Sequence, residues 1–278
     1  MLRSMITATN TLTQLQKQLD TVSSNIANSA TTGYKAQQAN FSELMYQQFN
    51  SDKLDRTVRQ SPVGIRYGVG AYVSQIQSVE KQGNIQQTGR DLDIAFTKEN
   101  QYLNILMPEG DNTRLVYSRQ GNLYVSPQAN GTVSLVNAQG HAVADANGNP
   151  IVLADDIEQF TISDTGTLNV TFSTGQPIAI DLGITQLEKP QLLENVGNTY
   201  IALPNNLAEL GYTQQEVLTN LQGGARQNIG MMSGALENSN VDLSKEMTDL
   251  IAAQRSYQFN SRAITIGDQM LGLINGIR

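Results

Sequence analysis

The first 32 residues contain neither glycine nor proline, and within them Met5, Ala8, Leu12, Leu15, Leu19, Val22 and Ile26 recur at alternating spacings of three and four. That 3.5-residue period lays one apolar seam along a helix of about 24 residues, roughly 36 Å long. Thr, Gln, Asn and Ser fill the positions between, with few charges. A single helix cannot bury its own seam, so this end of the chain requires a partner surface. The polar run Asn28-Ser29-Ala30-Thr31-Thr32 followed by Gly33-Tyr34-Lys35 predicts the stop, with Gly33 taking the positive φ that other residues resist.

The other end repeats the design. No glycine or proline lies between Val241 and Ile266, and Asn240 or Asp242 is placed to cap a helix there. Leu243, Met247, Leu250, Tyr257, Ile264 and Leu271 share one seam, interrupted by Gln254, Ser261 and Asp268. Polar seam positions cost stability but fix register and partner number. The N-terminal helix is the obvious partner, which makes the two ends one domain.

The middle of the chain has a different period. Leu115–Tyr117, Leu123–Val125, Val133–Val136, Ile151–Leu153, Phe160–Ile162, Leu168–Phe172 and Ile178–Leu182 are short β-rich runs separated by Asn-Gly, Gly-Asn and Thr-Gly turns. Runs near ten residues apart with such turns predict an antiparallel β domain. Between the first helix and this region, Phe41, Leu44, Met45 and Phe49 predict a short helix, and Ala71–Val79 alternates like a strand. The expected fold class is therefore α+β: N- and C-terminal helices paired as a coiled-coil-like domain (1–35 with 239–278), an extended connector (36–90 with 191–238), and an inserted antiparallel β-rich domain (91–190).

Composition removes most chemistry. The 278 residues include no cysteine and one histidine, His141, so no disulfide framework, thiolate zinc site, cysteine nucleophile or two-histidine metal site can form within one chain. His141 lies in a Gly-rich turn with no G-x-S-x-G elbow, and no G-x-x-x-x-G-K phosphate loop occurs. Asp145-Ala-Asn147-Gly-Asn149 looks like the opening of a calcium loop, but its sixth position is Pro150 where glycine is needed, so an Asn-Gly turn is the better reading. Asp155, Asp156 and Glu158 could supply a glycosidase carboxylate pair, yet acidic loops are usually solvated and the chain has no tryptophan platform. No catalytic residue, cofactor or metal is expected.

A net charge of −7 opposes general nucleic-acid binding. No run of about 18 apolar residues exists, so no direct membrane insertion is expected, and Met1 to Asp20 lacks the apolar stretch of a cleaved secretory leader. The charge is uneven: 9 basic and 5 acidic residues in 1–90, 4 and 12 in 91–190, 5 and 8 in 191–278. Asn and Gln together number 53 against 43 charged residues, a surface suited to packing against copies of itself.

The termini are more specific still. Asn25-Ile26-Ala27-Asn28-Ser29-Ala30-Thr31-Thr32-Gly33-Tyr34-Lys35 closely resembles the N-terminal signature of bacterial flagellar rod and hook axial proteins. Gly234-Ala235-Leu236-Glu237-Asn238-Ser239-Asn240-Val241-Asp242-Leu243 and Ile251-Ala-Ala-Gln254-Arg255-Ser256-Tyr257 look like its C-terminal signature, and Thr88–Ala95 is similar to the stretch that opens its central domain. After Ala95 the chain departs from the family's usual Gly-x-Gly-Phe-Phe-like turn and reads Phe96-Thr97-Lys98-Glu99.

The resemblance implies a structural subunit of the basal-body rod, closest to the distal-rod or proximal-rod type, stacking into a helical tubular drive shaft that transmits torque to the hook. It also implies export through the flagellar type III apparatus without a cleaved signal peptide, to a place outside the cytoplasmic membrane. The partners would be copies of the chain, other rod and hook proteins, and the export apparatus. Leu12, Leu15, Leu19, Val22, Ile26, Asn28, Gly33, Tyr34, Asn240, Leu243, Met247, Leu250, Gln254, Arg255, Tyr257 and Asn260 are the expected packing residues. Leu12, Leu15, Leu19 and Val22 are expected to bury against Leu243, Met247, Leu250 and Tyr257 on assembly, with order gained at that step. The alternatives are a hook protein and, in another class, a surface glycan-binding or adhesin module.

Overall fold

The computed structural model describes residues 2–43, 47–49, 65–67, 71–110, 112–128, 131–173, 175–197 and 199–276. It is α+β, with a helix at each end and a β-rich middle. The chain divides into two compact units. One comprises Met1–Ile26, Gln37–Gln77 and Asp242–Arg278, the other Ala27–Ala36 and Ser78–Val241.

In the first unit the N-terminal helix runs Leu2–Ala27, and Ala8, Leu15, Thr21, Val22 and Asn25 form its buried stripe. Threonine would ordinarily weaken a helix interior, but Thr9, Thr11, Thr13 and Thr21 each turn the hydroxyl back onto the carbonyl four residues earlier, at 2.9 to 3.2 Å. The C-terminal helix, Leu243–Gly276, buries Ala253 and Gly267. Gly267 backs onto Met5: a Cβ there would stand 3.1 Å from the Met5 Cγ, so any larger residue requires the Met5 side chain to give way by a few tenths of an ångström.

Strand Gln37–Glu43 pairs with Ala71–Ser78, as the alternation over 71–79 predicts. The short helix expected around Phe41 and Phe49 is absent: Gln37–Glu43 and Gln47–Phe49 are strands, and Leu44 and Met45 lie outside the described residues. A helix of that length is marginal without a buried face, and Phe41 is exposed, whereas a strand obtains its backbone bonds from Ala71–Ser78 and Ile65–Tyr67.

The second unit is built on a mixed-length β-sheet. Its central hairpin pairs Gln101–Glu109 with Asn112–Ser118 in continuous register from Leu103↔Ser118 to Glu109↔Asn112. Thr132–Asn137, Val152–Ala154, Leu123–Gln128 and Ala142–Val143 extend it on one side. Ile184–Leu187 pairs with Gln101, Tyr102 and Leu103, and in turn with Leu218–Asn220. A three-stranded sheet, Ile157–Ile162, Thr167–Phe172 and Ile178–Asp181, packs Ile162, Leu168 and Val170 into the same core as Leu103, Ile105, Leu123 and Leu135. Two short ribbons close the unit: Ile94–Phe96 with Met231–Ser233, and Ile85–Gln87 with Ala235–Glu237.

Candidate functional site

The N-terminal signature ends inside the second unit, and glycine geometry explains why. Gly33 adopts φ +69°, and a Cβ at that position would lie 2.6 Å from both the Arg119 carbonyl carbon and the Gln120 nitrogen. The chain thus lies directly on the 119–120 backbone, with Asn28, Gly33, Tyr34 and Lys35 buried. The Gly33 N–H donates to the Glu237 carbonyl at 2.8 Å, and the Val79 N–H donates to the Ala36 carbonyl at 2.8 Å.

Three ionic side chains meet at this point. Glu237 accepts from Lys35 Nζ at 2.9 Å, from Arg119 Nε at 2.5 Å and from the Gly83 N–H at 2.9 Å. The Glu237 and Arg119 side chains are each 1% exposed. Arg119 spends its remaining arms on the Gln101 and Lys98 carbonyls, and Lys35 also donates to the Lys81 carbonyl at 2.9 Å. Burial and the neighbouring Arg119 cation pull the Lys35 pKa down, against the opposing pull of Glu237. Beside the cluster the Tyr102 hydroxyl donates to the Glu80 carboxylate, and burial together with that carboxylate raises the Tyr102 pKa well above its ordinary value.

Asn240 is not the helix cap. Its side chain accepts from the Ala36 N–H at 2.7 Å and donates to the Val79 and Lys81 carbonyls at 2.8 and 2.7 Å. Asp242 caps instead, accepting from the Ser244 and Lys245 N–H groups. Within the first unit Asn25 plays a similar part, exchanging two bonds with the backbone of Gln37 at 2.8 and 2.9 Å. These amides act as substitute backbone partners for irregular chain.

The helical residues fall into three groups. Leu15 and Val22 are buried; Leu12, Leu19, Ile26, Leu250 and Asn260 are half-buried. Leu243, Met247, Gln254, Arg255 and Tyr257 are exposed, as are Ile251, Ile266 and Phe259, the last by 74%. Periodicity singles out Leu243, Met247 and Tyr257 but not Ile251, Phe259 and Ile266, whose clearest sequence sign is Phe259 among Gln and Asn. Lys35, Arg119 and Glu237 also fall outside the expected packing residues. Lys35 and Glu237 stand within the two terminal signatures, while nothing local marks Arg119.

The acidic loop resolves as the expected turn: the Asp145 carboxylate accepts from the Asn147 and Asn149 N–H groups, which uses it as a turn-former. Among the described residues no three His, Asp or Glu side chains gather as metal ligands. The His141 ring packs edge-on to Tyr200 at 5.7 Å. No helix of the described residues is long and apolar enough to cross a membrane.

The long C-terminal helix leaves large apolar side chains exposed along its length, an arrangement characteristic of interaction surfaces. The family follows from sequence comparison. Residues 5–35 match the family described as flagella basal body rod protein, 98–170 the flagellar hook protein FlgE/F/G D1 domain, and 232–277 the flagellar basal body rod FlgEFG protein C-terminal family. The chain is 48% identical to the flagellar hook-basal body complex protein FlhP of Bacillus subtilis over the full length of both. It is 31% identical to the flagellar basal-body rod protein FlgG of Borreliella burgdorferi, over all of this chain and 99% of that one, and 28% identical to FlgG of Bacillus subtilis, with 98% and 97% covered. The chain belongs to the flagellar rod and hook axial family, whose members are structural components of the flagellum.

Proposed function

We propose that the chain is a structural subunit of the flagellar basal-body rod that self-assembles, through its terminal helices, into a tubular shaft carrying torque to the hook. The observation that carries this reading is the uncovered apolar row of the C-terminal helix: Leu243, Met247, Ile251, Phe259 and Ile266 stay exposed in the single chain. Burying each such side chain contributes about 1.5–3 kcal/mol, so repetition over many subunits favours assembly strongly. Full-length similarity to proteins named for the basal-body rod supports rod over hook.

In this reading 1–35 with 239–278 act as a discontinuous terminal domain whose helices pair as a coiled coil. Residues 36–90 with 191–238 connect it to the β-rich part, 91–190. The packing residues are those of the two seams, Leu12, Leu15, Leu19, Val22 and Ile26 with Leu243, Met247, Leu250 and Tyr257. Asn28, Gly33, Tyr34 and Asn240 shape the chain beside them, while Gln254, Arg255 and Asn260 supply directional bonds. The partners are copies of the chain and other rod and hook proteins. The flagellar export apparatus delivers it beyond the cytoplasmic membrane.

Deleting residues 245–278 tests the proposal. The expected result is a non-motile cell whose purified basal bodies lack this subunit. Basal bodies that still incorporate the truncated chain at normal yield would overturn it. Antibody labelling of purified basal bodies separates the rod reading, with label below the hook junction, from the hook reading, with label above it.

A further inference from the structure

The charged cluster of the second unit has the geometry of a device that holds one segment in place. Residues 28–36 are turns, a bend and irregular chain with no strand, so they have no repeating backbone ladder of their own. Besides the Lys81 and Val79 bonds, three contacts on their last four residues come from the far end of the chain. The Gly33 N–H reaches the Glu237 carbonyl, Lys35 Nζ reaches the Glu237 carboxylate at 2.9 Å, and the Ala36 N–H reaches the Asn240 side chain at 2.7 Å. Lys35 and Glu237 are 202 positions apart. Glu237 itself is delivered by strand Ala235–Glu237, which forms only by pairing with Ile85–Gln87.

We propose that Lys35, Arg119 and Glu237 form a latch that docks segment 33–36 onto the β unit only after strand Ala235–Glu237 has paired. Arg119 is the fixed half of the latch, already anchored to the Gln101 and Lys98 carbonyls of the sheet. Glu237 is the arriving half, and it closes on Arg119, on the Gly83 N–H and on Lys35 together. With Glu237 absent, Lys35 and Arg119 would be two cations facing each other out of water, which drives segment 33–36 away from the sheet. The pull of Arg119 on the Lys35 pKa reports the same repulsion. An ion cluster suits this task because it is intolerant of partial assembly: an apolar contact tolerates a missing neighbour, whereas a buried charge without its counter-ion does not. The N-terminal segment thus stays undocked until the C-terminal signature has been folded into place.

Amide hydrogen exchange on the full chain tests the latch. In Glu237→Gln the Gly33 and Ala36 amides are expected to exchange about tenfold faster or more, through local opening. The Leu135 amide, bonded to the Ile151 carbonyl in the core sheet at 3.1 Å, is expected to stay unchanged. Lys35→Met is the second variant: it leaves the Arg119–Glu237 pair intact and strands no charge. It removes the Nζ bonds to the Glu237 carboxylate and the Lys81 carbonyl that tie segment 33–36 down, and so should release the same two amides. Unchanged exchange at Gly33 and Ala36 in Lys35→Met overturns the proposal, whether or not Glu237→Gln folds. An equal rise at Leu135 overturns it too, as does loss of the whole fold in both variants, because the cluster would then be ordinary core.

Discussion

Gly33 and Arg119 meet backbone to backbone, close enough that a Cβ on residue 33 would stand 2.6 Å from the Arg119 carbonyl carbon. Gly33 also sits at φ +69°. Two penalties therefore fall on one substitution. Gly33→Ala is expected to destabilise the chain by about 3–5 kcal/mol, from left-handed strain plus displacement of the 119–120 backbone. Gly89 makes the comparison clean: its φ is +71°, and an added methyl would meet nothing within 4 Å, so Gly89→Ala should cost only about 1–2 kcal/mol. Urea unfolding of both variants measures the difference, and equal losses would show that the close approach is unimportant.

The exposed row on the C-terminal helix leads to a variant that separates folding from assembly. Phe259 is 74% exposed, so Phe259→Ser should change the stability of the isolated chain, read from urea unfolding, by less than about 0.5 kcal/mol. Swimming in soft agar should nevertheless collapse, because the same loss of about 1.5–3 kcal/mol recurs at every subunit contact. Normal swimming with this variant incorporated would remove Phe259 from the packing surface.

Asn240 and Asp242 are two residues apart and do different work. Asp242→Ala removes a helix cap and is expected to cost about 1 kcal/mol, with faster exchange confined to the Ser244 and Lys245 amides. Asn240→Ala leaves the Ala36 N–H and two carbonyls without that partner, at about 1–3 kcal/mol, with faster exchange at Ala36. Exchange mapped by NMR distinguishes them; identical maps would show that one residue serves both roles.

Tyr117 is buried, and burial pushes its pKa from 10.0 up to about 12. The folded chain therefore holds this proton more tightly than the unfolded one. The resulting stability is fully present below pH 10 and is lost as pH rises through about 12. At ~1.4 kcal/mol per pKa unit, the loss attributable to this group is about 3 kcal/mol. Tyr117→Phe should accordingly lose less stability than the wild type between pH 9.5 and about 12 in urea titrations. Parallel curves would mean that other groups govern the alkaline limb.

The terminal helices were legible in the sequence because their information is local. A heptad period, a run without glycine or proline, a glycine at the stop of the first helix and an aspartate at the start of the last act within one or two turns. Most of the strands in 112–182 were legible for the same reason, since alternation and turn chemistry are short-range. The strands Gln101–Glu109 and Ile184–Leu187 were not, and neither were the ribbons made by Met231–Ser233 and Ala235–Glu237. Gln101–Glu109 is buried over its first five residues and so shows no alternation there, while the other three are short and pair with strands far along the chain. The brief helix expected near Phe41 failed similarly, because strand pairing with 71–78 outweighed a weak local preference.

By itself the sequence determined that both ends are helical, that each carries an apolar seam in need of cover, and that Gly33 must turn the chain. Tertiary structure alone decided that Asn240 holds Ala36 while Asp242 caps the helix, and that Lys35, Arg119 and Glu237 share one dry site. Helix periodicity is written by neighbours three and four residues apart, so it can be read from a string of letters. A buried charge needs its counter-charge wherever the fold delivers it, and that delivery across 202 positions exists only in three dimensions.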